Sequence, residues 1–514
     1  MSMYHDTFGC IISRNSIRLI TIIATVVIEA LVLADDWPMR GRTIHRCSSV
    51  ESQGSPHFWE LSNDAPLGAA RLYSKDRSGF VKWSAGGFRE SSCDPVVANG
   101  LVWIGTADPI GESNEDSSVL ACFDEKTGEL LYQHISMKLA EPSQDWPNTG
   151  NTSSPFIKNN RLWFCTNRLE VVCLNSQPLI ERSGEPSVEW SVDLKSRFNV
   201  IPTDVHLGNR ASRCSLAGVD GRIFVNTTNS RHYELTPQVD PDAPGLVCLN
   251  ENTGETIWTD NSPGTDIARN QYCNPVIFRN GNTNYVAIGQ GDGFVRAFEC
   301  ETGKPVWKFD LNPLLGRKER AERGRAYSET RFLTESPSFD GRYLYFAIGD
   351  DREFTLRRTG GVYCIDPFGT GDISPEIFSD GKAAPNPNSK LVWDFTESGG
   401  KAVPVSLGGL CVTEKHVLYG DTAGIVRCFD KLAGTIHWSH ETFSGVSATP
   451  LVVGDTLYIA DEDGDVEVLS ATSTFDHIAT INHDAVISSS PVYANDTLFV
   501  VTRERLYAIG SGTR

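Results

Sequence analysis

Residues 272–310 read YCNPVIFRNGNTNYVAIGQGDGFVRAFECETGKPVWKFD. A polar residue precedes Pro275, and a short apolar strand follows it. A turn through Asn280-Gly281 leads to a second strand, and the Gly291-Asp292-Gly293 hairpin leads to a third. The Thr302-Gly303 turn then returns a fourth strand carrying Trp307. Turns this tight join neighbours in an antiparallel sheet, because a parallel pair needs a crossover of a dozen or more residues. The stretch is therefore one four-stranded sheet with each strand beside the next.

The unit recurs along the chain, and a recurring unit decides the architecture. Six copies start at a proline: Pro95, Pro155, Pro275, Pro337, Pro450 and Pro491. Two start at Ser215-Leu216 and Ser406-Leu407. The second strands alternate β-branched and aromatic residues, as in LVWIGT from 101, RLWFCT from 161, TLYIAD from 456 and TLFVVT from 497. The turn before the fourth strand is the most specific element. It reads CFDEKTGELLY over 122–132, CLNENTGETIW over 248–258, FECETGKPVW over 298–307 and CFDKLAGTIHW over 428–438. Gly128, Gly254, Gly303 and Gly434 supply the positive φ of a tight hairpin. Tyr132, Trp258, Trp307 and Trp438 follow them, and Trp190 and Trp393 fill the same slot after longer turns. A repeated aromatic slot reads as packing between neighbouring sheets.

The last copy, from Ser488, has three strands. A spare strand, FVKWSA over 80–85, carries Trp83 in the aromatic slot. Pairing that strand with the last three closes a ring and removes the exposed edges. The expected fold is all-β: a single eight-bladed β-propeller of four-stranded antiparallel blades, with seven blades if the copy at 405–441 is misread. The domain reading is a signal peptide over 1–34, an extension over 35–79 that shows no repeat and is expected to wrap the outside of the ring, and the propeller over 80–514.

The signal-peptide expectation rests on Arg14 and Arg18, the apolar run from Leu19 to Ile28, and Val32-Leu33-Ala34 before Asp35-Asp36. The alternative is an uncleaved anchor, since Glu29 interrupts the apolar region. No later stretch is apolar enough for a membrane span, so the chain is expected in the periplasm or outside the cell. The net charge of −19 repels phosphate backbones and argues against nucleic acid. The 13 cysteines include no CxxC or CxxCH. Cys122, Cys173, Cys248, Cys300, Cys364 and Cys428 recur late in third strands, where a thiol reads as a small buried hydrophobe.

The start, the A/C-hydrophobic-D-x-x-T-G-x-x-x-W turn and the closing N-terminal strand resemble the pyrroloquinoline-quinone-like (PQQ-like) propeller family. Trp37-Pro38-Met39-Arg40-Gly41-Arg42 is similar to the mature start of secreted bacterial members. The resemblance implies one of two roles. BamB-like members are scaffolds without quinone, whereas quinoprotein dehydrogenases hold the quinone and calcium on the propeller axis. Several of those dehydrogenases carry adjacent cysteines, which this chain lacks, and no motif here supplies their calcium ligands.

Catalytic motifs are otherwise missing: no HExxH, GxSxG or Walker loop occurs, and no catalytic residue is assigned. Asp461-Glu462-Asp463-Gly464-Asp465 looks like a calcium loop, but it falls where other copies carry GDG and DTAG, and so reads as a hairpin. Long connections at 135–152, 194–212, 261–271, 311–332 and 397–404 gather on one face. On them Arg210, Arg213, Arg269, Tyr272, Arg325, Arg331 and Trp146 are the candidate binding residues, with the basic segment 316–331 foremost. The expectation is a monomeric scaffold for an unidentified protein or small ligand, without cofactor or metal. Carbohydrate binding in the channel and a PQQ/calcium dehydrogenase are the alternatives.

Overall fold

The computed structural model describes residues 36–52, 54–61, 73–74, 79–87, 89–91, 93–108, 110, 117–137, 150–200, 203–204, 208–209, 215–229, 240–267, 272–312, 331–349, 360–379, 382–398 and 401–512. Eight sheets follow one another as blades of a ring. Blade 1 is Val96–Ala98, Leu101–Ala107, Ser117–Asp124 and Leu130–Met137. Blades 2 to 7 repeat the pattern, with first strands at Phe156–Lys158, Ala217–Val219, Val276–Asn280, Ser338–Phe339, Cys411–Val412 and Leu451–Val453. The copy at 405–441 is a full blade, blade 6, so the count is eight.

Blade 8 closes the ring. Val492–Ala494, Thr497–Val501 and Arg505–Ser511 pair in order, and Gly79–Gly86 adds antiparallel to the last of them, with Trp83 opposite Ala508. This is the closure expected from the incomplete last copy.

The aromatic slot has a common geometry. In the third strand a residue faces the aromatic and a β-bulge follows at once: Cys122 opposite Tyr132, Cys173 opposite Trp190, Cys248 opposite Trp258, Ala297 opposite Trp307, Cys364 opposite Trp393 and Cys428 opposite Trp438. Cys300 departs from the expected pattern, because it lies past the third strand Phe294–Glu299 and its slot is filled by Ala297.

Five of the tryptophans dock on the following blade. The indole N–H donates to a turn carbonyl there: Trp83 to Glu125 at 2.9 Å, Trp190 to Glu251 at 3.2 Å, Trp258 to Cys300 at 3.0 Å, Trp393 to Lys431 at 3.0 Å and Trp438 to Thr472 at 2.7 Å. Four of the rings lie on a turn glycine, Trp83 on Gly128, Trp190 on Gly254, Trp258 on Gly303 and Trp393 on Gly434, whereas the turn that receives Trp438 has no glycine. A Cβ on Gly303 would sit 2.6 Å from Trp258. The glycine thus meets two demands, a φ of +71° and a bare face for the indole.

Trp307 and Tyr132 occupy the slot but do not dock this way. Blade 2 answers Tyr132 with a turn holding the helix Gln177–Ile180, and blade 5 answers Trp307 with a long excursion whose Gly371–Asp372 pairs beside Trp307. Blade 2 has no Thr-Gly turn, and in blade 5 Thr370-Gly371 lies within the excursion, where nothing stands within 4 Å of the glycine's would-be Cβ. Blade 7 has Ala479 in the slot, and the blade after it is the one whose last turn is replaced by the ring closure.

Candidate functional site

The first strand of each blade lies nearest the axis, where a propeller holds its ligand or stays closed. Here that space is taken by the chain's own residues 37–50. They were expected outside the ring. Instead they wind past the first strands in blade order. Trp37 exchanges both backbone bonds with Val97 of blade 1, and Pro38 accepts from Ile157 of blade 2. Ile44 and His45 accept from Ile277 and Phe339 of blades 4 and 5, and Cys47 and Ser48 accept from Val412 and Val452 of blades 6 and 7. Blade 3 is reached by a side chain: Arg46 Nη2 donates to the carbonyls of Ser215 and Leu216 at 3.2 and 3.0 Å, and its Nε to that of Pro275 at 2.7 Å. First strands have one unpaired edge, and this segment satisfies it without a ligand.

Three residues of the segment are left-handed without being glycine: Arg42, Arg46 and Ser48, with φ of +72°, +56° and +51°. Such backbone is held only where the surroundings over-determine it, as seven inner strands do here. Arg40 pairs with Asp94 at 3.1 Å and Glu335 at 3.2 Å, both next to first strands. Burial opposes the Arg40 charge, and the two carboxylates outweigh it, so its pKa is raised. The cavity left among Arg40, Arg46, Asp94, Glu335 and Ser338 is about 20 Å³. That is room for about one water, not for a tricyclic quinone.

The residue before each first strand builds a belt around the axis. Ser490 N donates to Asp94 Oδ1 at 2.7 Å, joining blade 8 to blade 1. Ser154 N donates to Ser215 Oγ at 3.1 Å and Ser215 N to Asn274 Oδ1 at 2.6 Å. Gly409 N donates to Thr449 Oγ1 at 2.9 Å and Thr449 N to Ser490 Oγ at 3.0 Å. A small polar residue in an extended pre-proline conformation presents its side chain to the neighbour in this way. The recurrent residue before proline is thus a tie between blades.

Among the candidate binding residues, Arg210, Arg213, Arg269, Arg325 and Trp146 lie outside the described residues, as does most of 316–331. Tyr272 is buried, 7% exposed. Arg331 is tied into the seam between blades 4 and 5, its Nη1 donating to Tyr363 OH at 3.2 Å and its N–H to Asn312 Oδ1 at 2.8 Å.

The described part of the same face has a cleft of about 620 Å³ that no sequence motif announces. It lies at the ring closure, between the connections 484–486 and 87–90 and the hairpin 503–505. Arg89 pairs with Asp108 at 3.1 Å, Arg503 with Glu90 at 3.2 Å, and Arg505 donates to Ser84 at 3.2 Å. The signal that was available is Arg89, which precedes the blade 1 start as the other candidate arginines precede theirs.

No disulfide joins the eleven described cysteines, and ten of them are buried. Burial pushes the thiols of Cys173, Cys248, Cys364 and Cys428 up to about 12. They are packing groups, not nucleophiles. No group of three His, Cys, Asp or Glu side chains among the described residues is placed to hold a metal ion. No described helix is long and apolar enough to cross a membrane.

These features define the class: a closed eight-bladed propeller of PQQ-like repeats with its axis filled by its own N-terminal residues. The PQQ-like repeat family described as outer membrane protein assembly factor BamB matches residues 115–346 and 382–513, and the chain belongs to that family. BamB from Moraxella catarrhalis is similar in structure at 14% identity and a TM-score of 0.51, over 85% of this chain and 99% of that one. A quinohemoprotein alcohol dehydrogenase from Comamonas testosteroni is similar at 12% identity and 0.57, over 93% and 81%. A europium-containing methanol dehydrogenase is similar at 11% and 0.54, over 93% and 98%. Likeness at this identity shows the shared fold. No curated protein matches the sequence.

Proposed function

We propose that this protein is an exported, quinone-free scaffold that binds a protein or small ligand through the face carrying the inter-blade connections. One observation carries the reading. Residues 37–50 satisfy the inner strands of seven blades and leave about 20 Å³ beside the Arg40–Asp94–Glu335 cluster. The described axial residues therefore do not fit a quinone, and no catalytic step is derived through one. Membership of a family described by an outer-membrane assembly factor supports the scaffold over the dehydrogenase. The layout of residues 1–34 supports export.

The test is calorimetric titration of the protein with pyrroloquinoline quinone, with and without calcium. No heat of quinone binding is expected at either condition. Stoichiometric, calcium-dependent quinone binding would overturn the reading in favour of a dehydrogenase. For the scaffold itself, replacing the basic residues of 316–331, or Arg503 in the closure cleft, is expected to weaken an identified partner without changing the melting temperature.

A further inference from the structure

Hairpins between second and third strands in four blades share one design. In blades 2, 6, 7 and 8 the side chain of the leading residue accepts two backbone N–H groups of the turn. In blades 2 and 8 it is Thr166 and Thr502, uncharged, with Val172 and Ala508 six positions on. In blade 6 it is Asp421, whose Oδ1 accepts from Ala423 and Ile425, both at 3.0 Å. Its other oxygen, Oδ2, meets Arg427 Nη1 at 2.6 Å, six positions on. In blade 4 Gln290 leads, and Arg296, again six positions on, binds it at 2.6 Å and Asp292 Oδ2 at 2.6 Å.

Blade 7 repeats half of this. Asp461 Oδ1 accepts from Asp463 and Asp465, both at 3.0 Å, matching Asp421. The residue six positions on is Glu467, a carboxylate where blade 6 has its arginine. Glu467 is turned instead to His477 and Thr480, each 2.8 Å away. Asp461 is fully buried, and its Oδ2 has no hydrogen-bond partner among the described residues. Asp465 is fully buried beside it, with Oδ1 accepting from Asn482 at 2.7 Å. A buried carboxylate oxygen without a partner is costly, and the Asp465 carboxylate beside it raises that cost by like-charge repulsion. Blade 6 shows that this slot accommodates a positive group against Oδ2.

We propose that the blade 7 hairpin binds one hard divalent cation of the calcium type at Asp461 Oδ2 and Asp465, in place of the arginine of blades 4 and 6. All-oxygen donors select such an ion, and with two carboxylates the rest of its shell comes from backbone oxygens and water. This inference does not rest on the scaffold reading, because it depends on the carboxylates of one hairpin and not on the axial segment or on a bound partner.

The experiment uses the full chain, stripped with a chelator and titrated with calcium chloride by calorimetry and by melting temperature. One calcium per chain is expected, with a dissociation constant of about 10⁻⁵ to 10⁻³ M, and a higher melting temperature. Asp461→Asn keeps the hairpin acceptor and is expected to abolish both responses. Glu467→Arg restores the blade 6 pair and is expected to abolish calcium binding while raising the melting temperature of the stripped protein. No response of the unmodified protein to calcium or magnesium would overturn the inference. So would an undiminished response in Asp461→Asn.

Discussion

Docking of a tryptophan on the next blade's glycine makes a quantitative claim about Gly303. Replacing it by Ala imposes two separate costs. The φ of +71° costs about 1–2 kcal/mol for a residue with a Cβ. The new Cβ would also stand 2.6 Å from Trp258, closer than two carbons approach. The indole must then lift, which weakens its 3.0 Å bond to the Cys300 carbonyl, about 0.5–1.5 kcal/mol, and disturbs packing worth about 1–3 kcal/mol. The whole change is expected to cost about 2.5–6.5 kcal/mol. Gly281, in the first turn of the same blade, is the control: its φ is +59° and nothing lies within 4 Å of its would-be Cβ. Gly281→Ala is expected to cost only the backbone part. Trp258→Ala by itself is expected to cost about 3–5 kcal/mol. In that background Gly303→Ala should fall to the control value, because no ring remains to be displaced. The assay is guanidinium unfolding of the four proteins of the cycle, with matching m-values required. A coupling energy below about 0.5 kcal/mol would refute the docking argument.

Deleting residues 79–86 removes the outer strand of blade 8 together with the Trp83 tie to blade 1; cooperative unfolding should be lost, and an unchanged melting curve would reject the closure. Arg46→Ala leaves the buried carbonyls of Ser215, Leu216 and Pro275 without their donor, at about 1–3 kcal/mol each. Arg46→Lys should recover only part of this, since one ammonium does not reproduce the guanidinium fork; equal stability of the two variants would contradict the account. His483 is buried, its Nδ1–H donating to the Ile481 carbonyl at 3.2 Å while its Nε2 accepts from Trp59 at 3.3 Å, so the ring is neutral. Burial lowers its pKa to about 4 from 6.5. A depressed histidine contributes stability that is present above pH 6.5 and lost as pH falls toward 4, about 3 kcal/mol at 1.36 kcal/mol per pKa unit. His483→Gln should flatten that part of the stability–pH curve, measured between pH 7 and 4.5. Finally, a thiol reagent at pH 8 should label the buried cysteines only after unfolding; rapid labelling of the native protein would contradict their burial.

The blades were legible because each is local. A strand pairs with the next across a few residues, so alternation, the residue before proline and the Thr-Gly turn repeat visibly along the chain. The closure was legible too, as a missing strand at one end and a spare at the other. Those signals fixed neither which aromatics dock nor why. Trp307 sits in the same sequence slot as Trp258, and only the conformation of the neighbouring blade decides that Trp258 rests on Gly303 while no ring rests on Gly371. Local pattern also hid the role of residues 37–50. They carry no repeat, because each touches a different blade. Arg46 reaches Pro275 across 229 positions, and Ser490 reaches Asp94 across 396. Contacts that distant leave no periodicity to read.

The charge at blade 7 stands between these cases. Glu467 in place of an arginine was present in the sequence. Its meaning comes only from the fold, which buries Asp461 Oδ2 without a partner among the described residues where blade 6 sets an arginine. The sequence by itself determined the blades and the closing strand and narrowed the number of blades to eight or seven, since strand pairing and turn chemistry act between near neighbours. Tertiary structure alone decided what fills the axis and where a buried charge is left uncompensated, since both depend on groups brought together only when the ring closes.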